Sequence, residues 1–319
     1  MLSRVANSLY WMSRYLERAE HTARVVDVNL SLMLEGAPAT ARHRWQRVLR
    51  ATATPTPDGE VDAYQVTQLL TFDRVNRNSI VSCIATARDN ARQVREQIGA
   101  ELWEQLNRLS LEVRQTNMAQ VWNGQPHDFF QSVRDSLHLL LGVTDSTMSH
   151  DEGWYFMQVG RYIERAQTKA TSLDVHFSEL LGDKERQVDT DSYLDWVLVL
   201  ESCTAFEAYC KARSADLKPE KIAEFLLLDP DFPHSLRMSI DMLQTALQSI
   251  SELTDPDRAR RLERLGGRLS STVKFGQIDE IMHDGMHSYL RYIQHQCDQI
   301  HTGLRQIYFA YLVEEEVAS

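Results

Sequence analysis

Six residues, Arg14-Tyr15-Leu16-Glu17-Arg18-Ala19, return almost unchanged as Arg161-Tyr162-Ile163-Glu164-Arg165-Ala166. Guanidiniums at helical spacing can grip a carboxylate or phosphate through paired N–H donors, with Glu17 or Glu164 orienting them or acting as a base. The same residues can instead neutralise one another, Arg14 with Glu17 and Arg161 with Glu164, in a salt-bridge network that fixes helix register. Four arginines against two glutamates leave positive charge over, and arginine cannot lose its proton to escape burial. The balance must come from carboxylates elsewhere in the chain, with Glu201 and Glu152 the nearest candidates, or from a bound carboxylate or phosphate.

A third segment adds donors. Arg88, Arg92 and Arg95 share one helical line, and Arg95 reads as part of a solvated face. Asn90 lies nearer the stripe of Cys83, Ala87, Val94 and Ile98, where an amide needs partners at both ends. Glu201 likewise falls among Leu194, Leu198, Ala205 and Ala208. The expected substrate-binding set is therefore Arg14, Arg18, Arg161, Arg165, Arg88, Asn90, Arg92 and Glu201, with Glu17 and Glu164 as the catalytic candidates. His283 and His287 have the spacing of metal ligands, but Asp284-Gly285 breaks the helix between them and no HExxH is present, so no metal is expected. Without a Walker loop, a GxSxG or a GxGxxG after a strand, no cofactor is expected either, and any ATP would come from a partner.

The elements that must position these residues are helices. The first signature run is free of Gly and Pro as far as Gly36, and carries apolar residues on two sides, so its charged face is an island in packed surroundings. Further helices are expected at about 41–53, 61–72, 79–98 with an interruption at Gly99, 101–122, 127–148, 191–214, 219–228, 235–253, 256–274 and 286–313. Ser149 with Glu152 three positions on is a capping-box pattern opening the second signature helix. Thr54-Pro55-Thr56-Pro57-Asp58-Gly59 is the clearest loop and a candidate mobile segment. The last helix, with Tyr289, Tyr292, Tyr308, Phe309 and Tyr311, reads as a packed closing helix, and Glu314-Glu315-Glu316 as a solubilising end. Asp27-Val28 matches Asp174-Val175 in the repeat. The fold class is all-α, a multi-helix bundle with two pseudo-equivalent signature helices, in one domain with possible sub-bundles 1–148 and 149–319.

The 319 residues are 43% hydrophobic, with only 13 Gly and 8 Pro, which suits a large helical core. A formal net charge of −11 argues against generic nucleic-acid or anionic-membrane binding while allowing a local basic pocket. Cys83, Cys203, Cys210 and Cys297 form no CxxC pair and read as reduced thiols. No apolar run approaches the ~20 residues of a membrane span. A cytoplasmic location is expected.

Four stretches resemble the bacterial Alpha-E domain proteins: residues 8–20 around the first Glu-Arg motif, Ala87 to Ile98, Asp151 to Ala166, and Phe225-Leu226-Leu227-Leu228-Asp229-Pro230-Asp231-Phe232-Pro233-His234-Ser235-Leu236-Arg237. The resemblance implies an all-helical protein, with the Glu-Arg motif carried by Glu17, Arg18, Glu164 and Arg165. It also implies partners: a circularly permuted ATP-grasp protein encoded beside or fused to the domain, with a transglutaminase-like peptidase and a proteasome-related hydrolase in the same neighbourhoods. The chain departs from the family pattern at His21 and at Thr168-Lys169, so equal roles for the two copies do not follow. The expected function is a component of an ATP-grasp-linked system for peptide or amide-bond synthesis or modification, binding a small anionic or peptide substrate. A self-sufficient enzyme acting on an amide bond and a non-enzymatic scaffold with structural charge islands are the alternatives.

Overall fold

The computed structural model describes residues 1–32, 38–57, 59, 61–182, 190–213, 216–254 and 256–309. Among these there are fifteen α-helices and no strand: α1 (Ser3–Ser31), α2 (Pro38–Ala51), α3 (Ala63–Thr71), α4 (Ile80–Gln93), α5 (Arg95–Gln115), α6 (Met118–Asn123), α7 (Pro126–Thr147), α8 (Glu152–Gly182), α9 (Thr190–Ser202), α10 (Phe206–Arg213), α11 (Pro219–Leu228), α12 (Leu236–Leu253), α13 (Pro256–Lys274), α14 (Ile278–Asp284) and α15 (Met286–Leu304). A π-helical turn, Arg305–Phe309, follows α15. The all-α reading holds. The helix stop at Gly36-Ala37, Asp58 of the proline loop, Ser214, Tyr311 and Glu314-Glu315-Glu316 lie outside the described residues.

The two signature runs are α1 and α8, and they form the axis of the bundle. They pack along each other, with α4 and α7 against α1 and with α12, α15 and α2 against α8. Partners along the pair rise together in number: the Met1 ammonium meets Glu152 at 2.7 Å, and Arg14 meets Glu164. The helices are therefore parallel, which brings the two sequence copies side by side.

Gly160 is the reason they can approach so closely. A Cβ added there would stand 2.3 Å from the Tyr10 carbonyl oxygen of α1. In a helix interior Gly costs ~1 kcal/mol relative to Ala, so its presence in α8 marks the crossing point; Ser13, also small, holds the corresponding place in the first copy. Gly160→Ala is expected to lower the unfolding free energy by about 1–3 kcal/mol, because backbone and not a flexible side chain must yield. A urea midpoint equal to that of the native chain would contradict this contact.

Several boundaries differ from expectation for local reasons. The 191–214 run is two helices, α9 and α10, separated where Thr204 takes a left-handed φ of 59°. The 79–98 run ends at Gln93 because Val94 leaves helical geometry, and the kink at Gly99 (φ 73°) falls inside α5. Asp151, not Ser149, caps α8 by accepting from the Gly153 and Trp154 backbone N–H groups, while Glu152 is engaged by the N-terminus. The short α14 was not expected, since Asp284-Gly285 masked it. The repeated Asp residues both receive donors from neighbouring helices, Asp27 from His127 and Arg134 on α7 and Asp174 from His287 on α15. At the closing end, Tyr308 and Phe309 pack on Phe156, and Phe309 also on Tyr10, whereas Tyr292 is exposed. The cysteines are free, with Cys83, Cys203 and Cys297 buried.

Candidate functional site

At the α1/α8 crossing the charged residues pair between helices and not within them. Arg14 Nε and Arg18 Nε donate to the two oxygens of Glu164, each at 2.6 Å. In return Arg165 grips Glu17 with Nε and with Nη2, the latter at 2.9 Å, and Arg161 Nε lies 3.7 Å from Glu17 Oε2. Each glutamate thus serves the arginine pair of the other helix. The intrahelical pairs expected from spacing, Arg14 with Glu17 and Arg161 with Glu164, are not formed, because parallel packing offers each arginine a carboxylate across the interface. Glu17, Arg18, Glu164 and Arg165 stand at one crossing.

The remaining donors of the Arg14 and Arg165 guanidiniums are largely committed. Arg14 donates to Tyr10 Oη at 3.0 Å and Gln167 Oε1 at 2.6 Å, and its guanidinium lies over Trp11. Tyr10 Oη is 2.8 Å from His301 Nδ1. Arg165, buried, also reaches the Pro233 carbonyl at 3.3 Å. Arg18 differs: beyond Glu164 it donates only to Asn78 Oδ1 at 2.8 Å, its Nη2 has no hydrogen-bond partner among the described residues, and its side chain is 22% exposed.

Burial pushes the Glu164 carboxyl up, but the charges of Arg14 and Arg18 outweigh it and hold its pKa at about 2. A carboxylate so stabilised, with both oxygens taken by guanidiniums, is a permanent anion that orients the arginines and a poor proton acceptor at neutral pH. Glu17, only 6% exposed, likewise has both oxygens on the Arg165 guanidinium.

Arg14 and Arg18 open onto a cavity of about 270 Å³ lined also by His21, Thr22, Asn78, Glu164, Gln167, Thr168, Thr171, Gln294, Asp298 and the Ala51–Ala53 backbone turn. His21 Nε2 is buried there without a hydrogen-bond partner. Burial, then the Lys169 charge, draws the His21 pKa down to about 4, so the imidazole is neutral at physiological pH. Ala53 holds φ at 49°, a left-handed conformation costly for a residue with a Cβ, at the rim where the proline loop leaves α2.

The other expected site residues lie elsewhere. Arg88 donates to Asn107 Oδ1 at 2.8 Å and stacks over Trp103 of α5, Asn90 donates to the Thr86 carbonyl of its own helix, and Arg92 is exposed. Arg88 is thus turned to α5, and none of the three lines the cavities beside the crossing. Glu201 is half-buried near the end of α9 and lines neither of the two cavities beside the crossing. Glu152 is held by the N-terminus. Sequence reading missed Asn78, Gln167, Tyr10, Asp298 and His301, which come from a turn, from the flanks of the motif and from α15. Among the described residues no group of three or more His, Cys, Asp or Glu is placed to hold a metal, and no helix is long and apolar enough to cross a membrane.

The chain is similar to uncharacterized protein Mb2597 of Mycobacterium bovis and uncharacterized protein Rv2567 of Mycobacterium tuberculosis, at 23% identity over 326 residues in each case. The match takes in 95% of this chain but only 36% of each relative, so the chain spans about a third of their length. No solved structure matches it. A family described as a predicted alpha-helical domain with a conserved ER motif matches residues 1–309: the chain belongs to the Alpha-E family.

Proposed function

We propose that this chain is a component of an ATP-grasp-linked system that makes or modifies a peptide or amide bond, and that the Arg14/Arg18 cavity holds its anionic substrate or intermediate. The observation that carries the reading is the outer nitrogen of Arg18, which has no partner among the described residues and is fixed at a cavity wall by Glu164 and Asn78. A guanidinium oriented by a buried carboxylate and still holding free donors is prepared for a carboxylate or phosphate oxygen. Asp298 at the rim accepts from Gln167 Nε2 at 2.6 Å and limits the positive charge, which favours an anion of low charge. The proposed partners, a circularly permuted ATP-grasp protein and a transglutaminase-like peptidase, rest on the family resemblance. The greater length of the mycobacterial relatives suits a helical module that works beside further domains. In this reading the ATP-grasp partner supplies the nucleotide, and a cytoplasmic location follows.

Calorimetric titration with inorganic phosphate tests the cavity. Binding is expected at low salt, weakening as ionic strength rises because exposed charges are screened within ~8 Å at physiological salt. Arg18→Gln is expected to reduce the affinity by roughly tenfold or more, the loss of a charge-assisted contact. The scaffold reading is favoured by one observation, the closure of Glu17 under Arg165. Absence of phosphate binding at low salt, together with an Arg18→Gln variant that keeps cellular function, would establish it instead.

A further inference from the structure

A second cavity, of about 300 Å³, flanks the crossing on its α7 side and shares no lining residue with the first. Ser13 of α1, Leu141, Gly142, Thr144 and Asp145 of α7, and Met157, Gln158 and Arg161 of α8 enclose it. Three of these side chains stand out. Arg161 makes no hydrogen bond among the described residues; its Nε is buried without a partner and the nearest carboxylate is Glu17 at 3.7 Å. Gln158 and Ser13 are each only 7% exposed and line the cavity, and neither side chain has a hydrogen-bond partner among the described residues. A buried guanidinium nitrogen without an acceptor costs free energy unless a ligand or water completes it. Of the four signature arginines, Arg161 alone lacks a hydrogen-bonded protein acceptor.

We infer that this cavity is a binding site for a small zwitterion of the α-amino-acid class, its carboxylate on Arg161 and its ammonium toward Asp145, with Gln158 and Ser13 completing the polar contacts. Arg161 presents planar paired donors, the geometry that suits a carboxylate. Asp145 is exposed at the rim, with His150 Nε2 at 3.8 Å, and a carboxylate there repels a dianion such as phosphate while attracting an ammonium. Leu141 and Met157 give the remaining wall an apolar character suited to an aliphatic side chain. The inference concerns a different wall of α8 from the Arg14/Arg18 cavity and stands without it.

The test titrates the full chain with L-leucine, with 4-methylpentanoate, which lacks the ammonium, and with inorganic phosphate. Leucine is expected to bind, with 4-methylpentanoate weaker by roughly tenfold, and Asp145→Asn is expected to remove that difference. Arg161→Gln abolishes leucine binding. Because that change also touches Glu17, Gly142→Leu serves as the second variant: Gly142 lines the cavity and a Cβ there meets nothing within 4 Å, so a bulky side chain is added at the cavity wall without disturbing the ion pairs. It too should abolish leucine binding, while phosphate binding at the Arg14/Arg18 cavity is unchanged. Leucine binding that survives Gly142→Leu, no leucine binding at about 10 mM, or 4-methylpentanoate binding as tightly as leucine would overturn the assignment.

Discussion

Glu164→Gln is expected to lower the unfolding free energy by about 3–5 kcal/mol, the cost of leaving buried charge unpaired. Glu164 is 2% exposed and its two oxygens take the Nε donors of Arg14 and Arg18. An amide keeps one acceptor oxygen and turns an N–H donor toward a guanidinium, so one hydrogen bond is lost and the remaining one loses its charge assistance. Tyr10 and Gln167 still hold Arg14 by its outer nitrogens, which limits rearrangement and prevents the guanidinium from reaching water. Arg18, more exposed, can swing outward, and this sets the lower end of the range. Chemical denaturation followed by circular dichroism reads the effect, and an unchanged midpoint would show that Glu164 does not hold the arginines. A large cost assigns Glu164 a positioning role and leaves ligand contact to Arg18.

The sequence made the two charge islands legible because each interrupts an apolar pattern on its own helix, and neither Arg nor Glu is common in a core without a partner. Their partners were not legible. Spacing along one helix suggests i to i+3 pairing, whereas the crossed pairing depends on α1 and α8 running parallel with their copies level. Gly160 carried that information: read alone it is a helix weakness, and only beside Tyr10 does it become a crossing point. Arg88 and Asn90 show the opposite failure, since Arg88 serves α5 through Asn107 and Trp103 and Asn90 donates to the Thr86 carbonyl of its own helix. Asn78 and Asp298 reach the first cavity from a turn and from α15, places that no periodicity links to the motif.

Acid is expected to unfold the protein from pH 6.5 downward, well before the carboxylates titrate. Four histidines are held neutral, His21 and His176 buried and His234 and His301 partly exposed. Burial, reinforced by Lys169, brings His21 to about 4 against the partial opposition of Glu20; burial, with Arg47 and Arg50, brings His176 to about 3; burial, with Arg165 and Lys169, brings His234 to about 2. His301 is drawn to about 4 by burial and by the charges of Arg14 and Arg305, and all four folded values lie below the unfolded value of 6.5. Between these values the unfolded chain binds protons that the folded chain refuses, so the stability present above pH 6.5 is lost as pH falls. Each histidine contributes a slope of up to ~1.4 kcal/mol per pH unit in that window, less for the partly exposed His234 and His301, so the four together stay below ~5 kcal/mol per pH unit. Glu164, depressed from 4.5 to about 2, adds its loss only below pH 4.5. The onset therefore identifies the cause. His176, whose Nδ1 has no hydrogen-bond partner and which lines neither cavity, offers the control: His176→Gln should remove at least about a quarter of the slope between pH 6.5 and 5. Urea midpoints measured across that range check both statements, and a flat profile down to pH 5 would mean that these imidazoles accept protons in the folded chain.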